Sequence, residues 1–167
     1  MINFSGEQKY DLAATLGELL LAKQATVCSV ESCTGGGLAQ AITHVAGSSA
    51  WFNQSWVTYS NQAKHELVGV QQTTLQEFGA VSSQTVIEMA SGALVRANAS
   101  YAVSISGIAG PGGGTAEKPV GLVWFGLATA SGCNSFKQVF PGDREAVREQ
   151  AVVYALEKLI QSLNDGY

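Results

Sequence analysis

The stretch Thr26-Val27-Cys28-Ser29-Val30, running into Glu31-Ser32-Cys33-Thr34-Gly35-Gly36-Gly37, decides how the rest of the chain is read. A short apolar run that stops at a polar, glycine-rich string predicts a buried strand feeding a turn. Beyond it Leu38, Ala41, Ile42 and Val45 fall on one helical face, and Gly47 stands where a C-terminal cap would close the helix. Strand, glycine turn and helix in that order are the repeating unit of an α/β sheet.

Working outward, Leu12, Leu16, Leu19 and Leu20 recur at helical spacing between Glu7 and Lys23 and predict an amphipathic helix before this unit. After it, Ser55 to Ser60 is rich in strand formers, and Ser60 or Asn61 can cap a short helix that carries Lys64. Ser82 can cap a longer helix with Val86, Met89, Ala90, Ala93 and Leu94 on its core face. Tyr101 to Ser106 predicts another strand. It runs into Gly107 to Gly114, where five glycines and one proline in eight residues exclude regular structure and bring backbone amides to the surface. Val120 to Thr129 and Ser135 to Phe140 flank Ser131-Gly132, a hairpin signal, so an antiparallel pair joins the sheet. Asp143 can cap a last helix whose apolar face includes Val147, Ala151, Tyr154, Leu156 and Leu159, with Leu163 beyond. The expected fold is a single α/β domain over residues 1–167, a three-layer α/β/α sandwich around a mixed sheet. Ligands then gather beyond the carboxyl ends of the strands, where both glycine loops can meet.

Composition narrows the function classes. With 46% hydrophobic and 13% charged residues the chain can bury a core large enough to offset its ordering entropy. Nine Lys plus Arg against 13 Asp plus Glu leave a net charge of −4, so no basic surface is available to nucleic acid, although one small phosphate could still be held locally. No apolar run approaches the roughly 18 residues of a membrane span, and Met1 to Leu21 lacks the basic-then-apolar order of a secretory signal. Cys28, Cys33 and Cys133 form an odd set without metal-ligand spacing, which predicts free thiols, no metal and a cytoplasmic setting.

The first loop places Ser32 between a strand and a helix, where an exposed hydroxyl can attack a substrate while nearby N–H groups stabilise an oxyanion. It has neither the glycine–serine alternation of a hydrolase elbow nor the lysine of a P-loop, so a purely structural turn is an equal reading. Glu31 either hydrogen-bonds the site or pairs with local amides. A nucleophilic serine needs a base, and His44 and His65 are poorly placed for a Ser-His-Asp arrangement. Lys64 can serve if its tip turns inward, because burial lowers a lysine's pKa. Tyr59 could relay that proton, or be an ordinary half-buried strand tyrosine. Ser48 and Ser49 fit capping as well as catalysis. Arg144 and Arg148, four apart at the start of the last helix, fit anion binding or ion pairing with Asp143, Glu145 and Glu149.

Six strings in chain order carry a resemblance. They are Glu31-Ser32-Cys33-Thr34-Gly35-Gly36, Gly47-Ser48-Ser49-Ala50-Trp51-Phe52, Val57-Thr58-Tyr59-Ser60-Asn61, Gly79-Ala80-Val81-Ser82, Ser106-Gly107-Ile108-Ala109-Gly110-Pro111 with Gly113-Gly114, and Lys118-Pro119-Val120-Gly121. Together the sequence resembles the CinA C-terminal domain family over nearly its whole length. The resemblance implies hydrolysis of the carboxamide of nicotinamide mononucleotide to a carboxylate and ammonia, in pyridine nucleotide recycling, without metal or cofactor. It implies Ser32 as nucleophile, Tyr59 and Lys64 as proton-handling partners, and Ser49 close by. Arg144, with Arg148 as a further candidate, and amides of the Gly107 to Gly114 loop would hold the ribotide phosphate. The implied substrate-binding set is Ser49, Thr34, Gly35, Ser106, Gly107, Gly110, Gly112 and Arg144, with no particular role for Ser106. Larger relatives carry an additional domain associated with pyrophosphatase activity, for which 167 residues leave no room, and a homodimer is expected. The rival readings are a non-catalytic nucleotide-binding module linked to competence or DNA damage response, which needs the glycine loops but not Lys64, and a serine amidohydrolase for another small amide.

Overall fold

A computed structural model describes residues 6–166; the sequence reading of the extreme N-terminus and the outermost domain limits extend to residues 1–5 and 167, outside the described residues. Along the chain run α1 (Gly6–Lys23), β1 (Val27–Glu31), α2 (Gly37–Thr43), a 3-10 turn (Ser48–Ala50) and β2 (Phe52–Val57). There follow α3 (Asn61–Val68), α4 (Gln72–Phe78), α5 (Ser83–Ala97), β3 (Tyr101–Gly107), β4 (Leu122–Thr129), β5 (Gly132–Val139) and α6 (Arg144–Asp165). The five strands form one sheet in the order β2-β1-β3-β4-β5. β1 pairs in parallel with β2 and β3, whereas β4 pairs antiparallel with both β3 and β5, so the sheet is mixed as expected.

Two apolar clusters, one on each face of the sheet, make the three layers. On one face Val27, Val103, Ile105, Val123 and Phe125 pack with Leu16 and Leu20 of α1, Leu38 and Ile42 of α2, and Leu156 and Leu159 of α6. On the other, Cys28, Val30, Ala102 and Ala128 pack with Val68 of α3 and Val86, Met89, Ala90 and Ala93 of α5. Alternate residues of each strand serve opposite layers, as the period of two requires. Each fully buried Leu or Ile contributes on the order of 1.5–3 kcal/mol.

The connection from β1 to β2 runs through α2 on the first face, while β2 leads into α3 on the second. This divergence opens a crevice beyond the carboxyl ends of β1 and β2, the place where open α/β sheets hold ligands. The α3 helix is fixed there by close approach to α5: a Cβ on Gly92 would run into the Val68 carbonyl oxygen.

Several elements differ from expectation. β2 lies at Phe52–Val57 rather than Ser55 to Ser60, β4 starts at Leu122 rather than Val120, β5 runs Gly132–Val139 rather than Ser135 to Phe140, α2 stops at Thr43 with Gly47 capping the following 3-10 turn instead, and α4 carries no sequence signal of its own. The caps at Ser60, Ser82 and Asp143 form as predicted, their side chains accepting hydrogen bonds from the Ala63, Thr85 and Ala146 amides.

Candidate active site

β1 ends at Glu31, whose alternation places its side chain toward the α2 layer. There its carboxylate is fully buried, accepting hydrogen bonds from the Thr34 hydroxyl at 2.7 Å and from the Leu38 and Ala39 amides at 2.9 and 3.0 Å. This carboxylate caps the first turn of α2, for which Gly36, at φ 98°, offers no side chain. Of the two readings of Glu31, pairing with local groups is the observed one. It folds the loop from Ser32 to Gly37 back on the strand end and leaves Ser32 at the mouth of the crevice.

Lys64 enters from α3 on the other side of that crevice. Its side chain is 1% exposed, and Nζ donates to Ser32 Oγ at 3.0 Å and to the Thr58 carbonyl at 2.7 Å. The tip therefore turns inward, the condition the sequence had left open. Among the described residues no carboxylate pairs with it, and burial pushes its pKa down from 10.5 to about 8, opposed in part by Cys33. Roughly a tenth of such amines are uncharged at pH 7, able to take a hydroxyl proton. Neither histidine competes for this role: His65 Nδ1 lies 2.8 Å from the Val70 carbonyl, and His44 stacks on Tyr10.

The Ser32 amide is spent on the Ile105 carbonyl at 2.9 Å, but among the described residues the Thr34 amide donates to no protein group and the Cys33 amide meets only its own thiol. Both residues are buried, and a buried unpaired N–H is costly unless something arrives to accept it. These amides are available donors for an oxyanion.

A cavity of about 1150 Å³ opens beside the dyad, between the Thr34 to Gly37 loop, Ala109 and Pro111 of the second glycine loop, Val120 just before β4, and Arg144 and Arg148 of α6. The two glycine loops thus meet beyond the strand ends. Ser32 and Lys64 are not among its walls; Thr34 and Gly35, further along the loop from Ser32, are.

The remaining predicted site residues are distributed unevenly. Tyr59 lies past the end of β2, 64% exposed, and its hydroxyl accepts from Arg144 Nη2 at 3.2 Å and bonds neither Ser32 nor Lys64. The half-buried strand position is therefore not where it sits. Arg144 also donates to the Gly110 carbonyl at 2.9 Å, which ties the second loop to α6. Arg148 donates to the Cys33 and Thr34 carbonyls, and neither arginine makes an ion pair with Asp143, Glu145 or Glu149. Ser106 is buried and its hydroxyl donates to the Ala80 carbonyl. Gly107 closes β3, and Gly112 is exposed at the loop tip. Ser49 is exposed in the 3-10 turn that precedes β2, at the amino ends of the parallel strands, the opposite end of the sheet from Ser32 in the same chain. Sequence reasoning had no signal for the Thr58 carbonyl, since backbone groups carry none. Among the described residues no cluster of His, Cys, Asp and Glu could hold a metal, and no helix is long and apolar enough to cross a membrane.

Fold and site together define a class: a three-layer α/β domain in which a serine at a strand-to-helix turn meets a buried lysine. Residues 9–163 match the model of the CinA C-terminal domain, and the chain belongs to that family. It is 57% identical over 151 residues to nicotinamide-nucleotide amidohydrolase PncC of Escherichia coli strain K12, spanning 90% of this chain and 92% of that one. Among solved structures, a CinA superfamily protein from Klebsiella pneumoniae superposes with a TM-score of 0.91 at 37% identity, covering 94% of this chain and 98% of that one. The competence/damage inducible protein CihA of Agrobacterium tumefaciens does so with a TM-score of 0.89 at 44% identity, covering 98% and 99%.

Proposed function

We propose that this chain is a nicotinamide-nucleotide amidase, hydrolysing the carboxamide of nicotinamide mononucleotide to the carboxylate with release of ammonia. One observation carries the mechanism: Lys64 Nζ lies 3.0 Å from Ser32 Oγ, buried and without a counter-ion among the described residues. The relative of 57% identity named for this activity supports the substrate.

In the uncharged state the Lys64 amine takes the Ser32 proton as Oγ attacks the carboxamide carbon, and the new oxyanion accepts from the free amides of the Ser32 loop. The Lys64 ammonium returns the proton to the departing nitrogen, which leaves as ammonia. Water, deprotonated by the same amine, then hydrolyses the acyl-enzyme and regenerates Ser32. The Thr58 carbonyl holds Nζ in place through both halves. Arg144, which Tyr59 meets through its hydroxyl, borders the cavity that would take the ribotide, where Arg144 and the second-loop amides offer donors to its phosphate. Pyridine nucleotide recycling in the cytoplasm, by a homodimer, is the setting this reading implies.

The test is release of ammonia from nicotinamide mononucleotide, compared with the unphosphorylated riboside. Turnover of the ribotide with a clear preference over the riboside is expected. Equal rates would remove phosphate recognition, and no ammonia from either would remove the activity. A purely nucleotide-binding module has no use for a desolvated lysine against a serine, which favours the enzymatic reading.

A further inference from the structure

The Ser32 loop is held from two sides, and the two grips converge on one residue, Thr34. From within the sheet, Glu31 accepts the Thr34 hydroxyl. From α6, Arg148 Nε donates to the Cys33 carbonyl at 3.1 Å and Nη2 to the Thr34 carbonyl at 3.3 Å, while the Gly37 amide donates to that same Thr34 carbonyl at 3.0 Å. Every polar group of Thr34 is thereby engaged except its N–H, and Thr34 lies buried at the wall of the cavity.

In a trans peptide the N–H of one residue points opposite the carbonyl of the residue before it. A guanidinium behind the Cys33 carbonyl therefore directs the Thr34 N–H away from α6, and its charge polarises the peptide so that this N–H is a stronger donor. Among the described residues Arg148 forms no ion pair, so no carboxylate there neutralises its charge.

We infer that Arg148 is a positioning residue that aims and polarises the Cys33–Thr34 peptide, so that the Thr34 N–H stabilises the oxyanion formed on Ser32. The role rests on the proposed Ser32 chemistry, and it differs from the phosphate contact suggested by the position of Arg148 in the sequence. A phosphate ligand would act on binding, whereas this role acts where negative charge develops.

The experiment uses the full chain with Arg148→Ala and Arg148→Lys, each checked for folding by its thermal melt, and two probes. With nicotinamide mononucleotide, Arg148→Ala lowers kcat by about 30- to 100-fold, near the low end for loss of one oxyanion donor, and changes KM less than twofold. The ribotide-to-riboside preference and the pH midpoint stay where they are, and added guanidinium restores part of the rate. Arg148→Lys keeps the charge without the two-pronged contact and falls between. With phenylboronic acid, Ser32 Oγ bonds boron and its proton passes to Lys64, giving an anionic tetrahedral centre; Arg148→Ala weakens this adduct at least tenfold. Unchanged kcat and unchanged boronate affinity overturn the inference, as does a loss confined to KM and phosphate preference. If Arg148→Ala does not fold, Arg148→Lys decides, and wild-type kcat and boronate affinity in that variant overturn it. If the wild type binds boronate but releases no ammonia, the substrate assignment falls and the boronate comparison alone decides the role of Arg148. If it does neither, both fall.

Discussion

The two glycine loops read alike in sequence, each following a strand and each too rich in glycine for regular structure, yet the fold treats them differently. In the first, Glu31, Ser32, Cys33 and Thr34 are buried and held by a carboxylate and a guanidinium. In the second, residues 111–114 are exposed, and the anchor to α6 is the Arg144 contact with Gly110. Glycine makes both turns possible, but the side chains that other elements bring to a loop decide whether it is a rigid chemical platform or a wall of a cavity. The first loop is a platform because a serine, a lysine from α3 and an arginine from α6 meet on it.

Substitutions can break this contrast, and the largest effect belongs to the platform. Ser32→Ala should lower ammonia release at least 10³-fold while leaving the thermal melt in place; retained turnover would remove Ser32 as nucleophile. Next, Lys64→Arg keeps the charge but cannot surrender its proton, so a loss of about 10²- to 10⁴-fold is expected in steady-state assays. If Lys64 is the base, the reactive form in the wild type is the uncharged amine. With its pKa lowered to about 8, kcat/KM should therefore rise about tenfold per pH unit below that value and level off above it. A profile flat from pH 6 to 9 would contradict a lysine base.

A smaller effect tests the grip itself. Glu31→Gln presents an amide nitrogen to one of its present donors and should cost about 1–3 kcal/mol in denaturant unfolding, with lower kcat. On the second loop, Gly110→Ala meets a φ of 82° and the Val120 side chain, and should cost about 1–2 kcal/mol. Gly112→Ala, with open space around it, should change stability by less than about 0.5 kcal/mol. If Gly112→Ala proved as costly as Glu31→Gln, the two loops would not differ as described.

Legibility followed the physics of each element. β1 and β3 are buried on both faces, so their apolar runs stand out. β2 is an edge strand with Asn53 and Gln54 facing solvent, and the aromatic cluster at Trp56 to Tyr59 drew its expected position toward the carboxyl side. α4 buries little beyond Thr74 and so shows no apolar stripe. For α2, the continued periodicity through Val45 concealed the stop at Thr43. In the site, Ser32 was visible because a strand-to-helix turn is a local pattern. Lys64 was visible only as a residue near such a junction.

The sequence alone determined the layers and the strand-end loops, because hydrophobic period and turn chemistry are short-range properties written into neighbouring residues. Whether Lys64 faced water or Ser32, whether Glu31 served chemistry or a helix cap, and which groups Arg148 would hold were decided only by packing. Those contacts join residues between three and 115 positions apart. Desolvation, which lowers the Lys64 pKa, is a property of the assembled crevice and of no single stretch of chain.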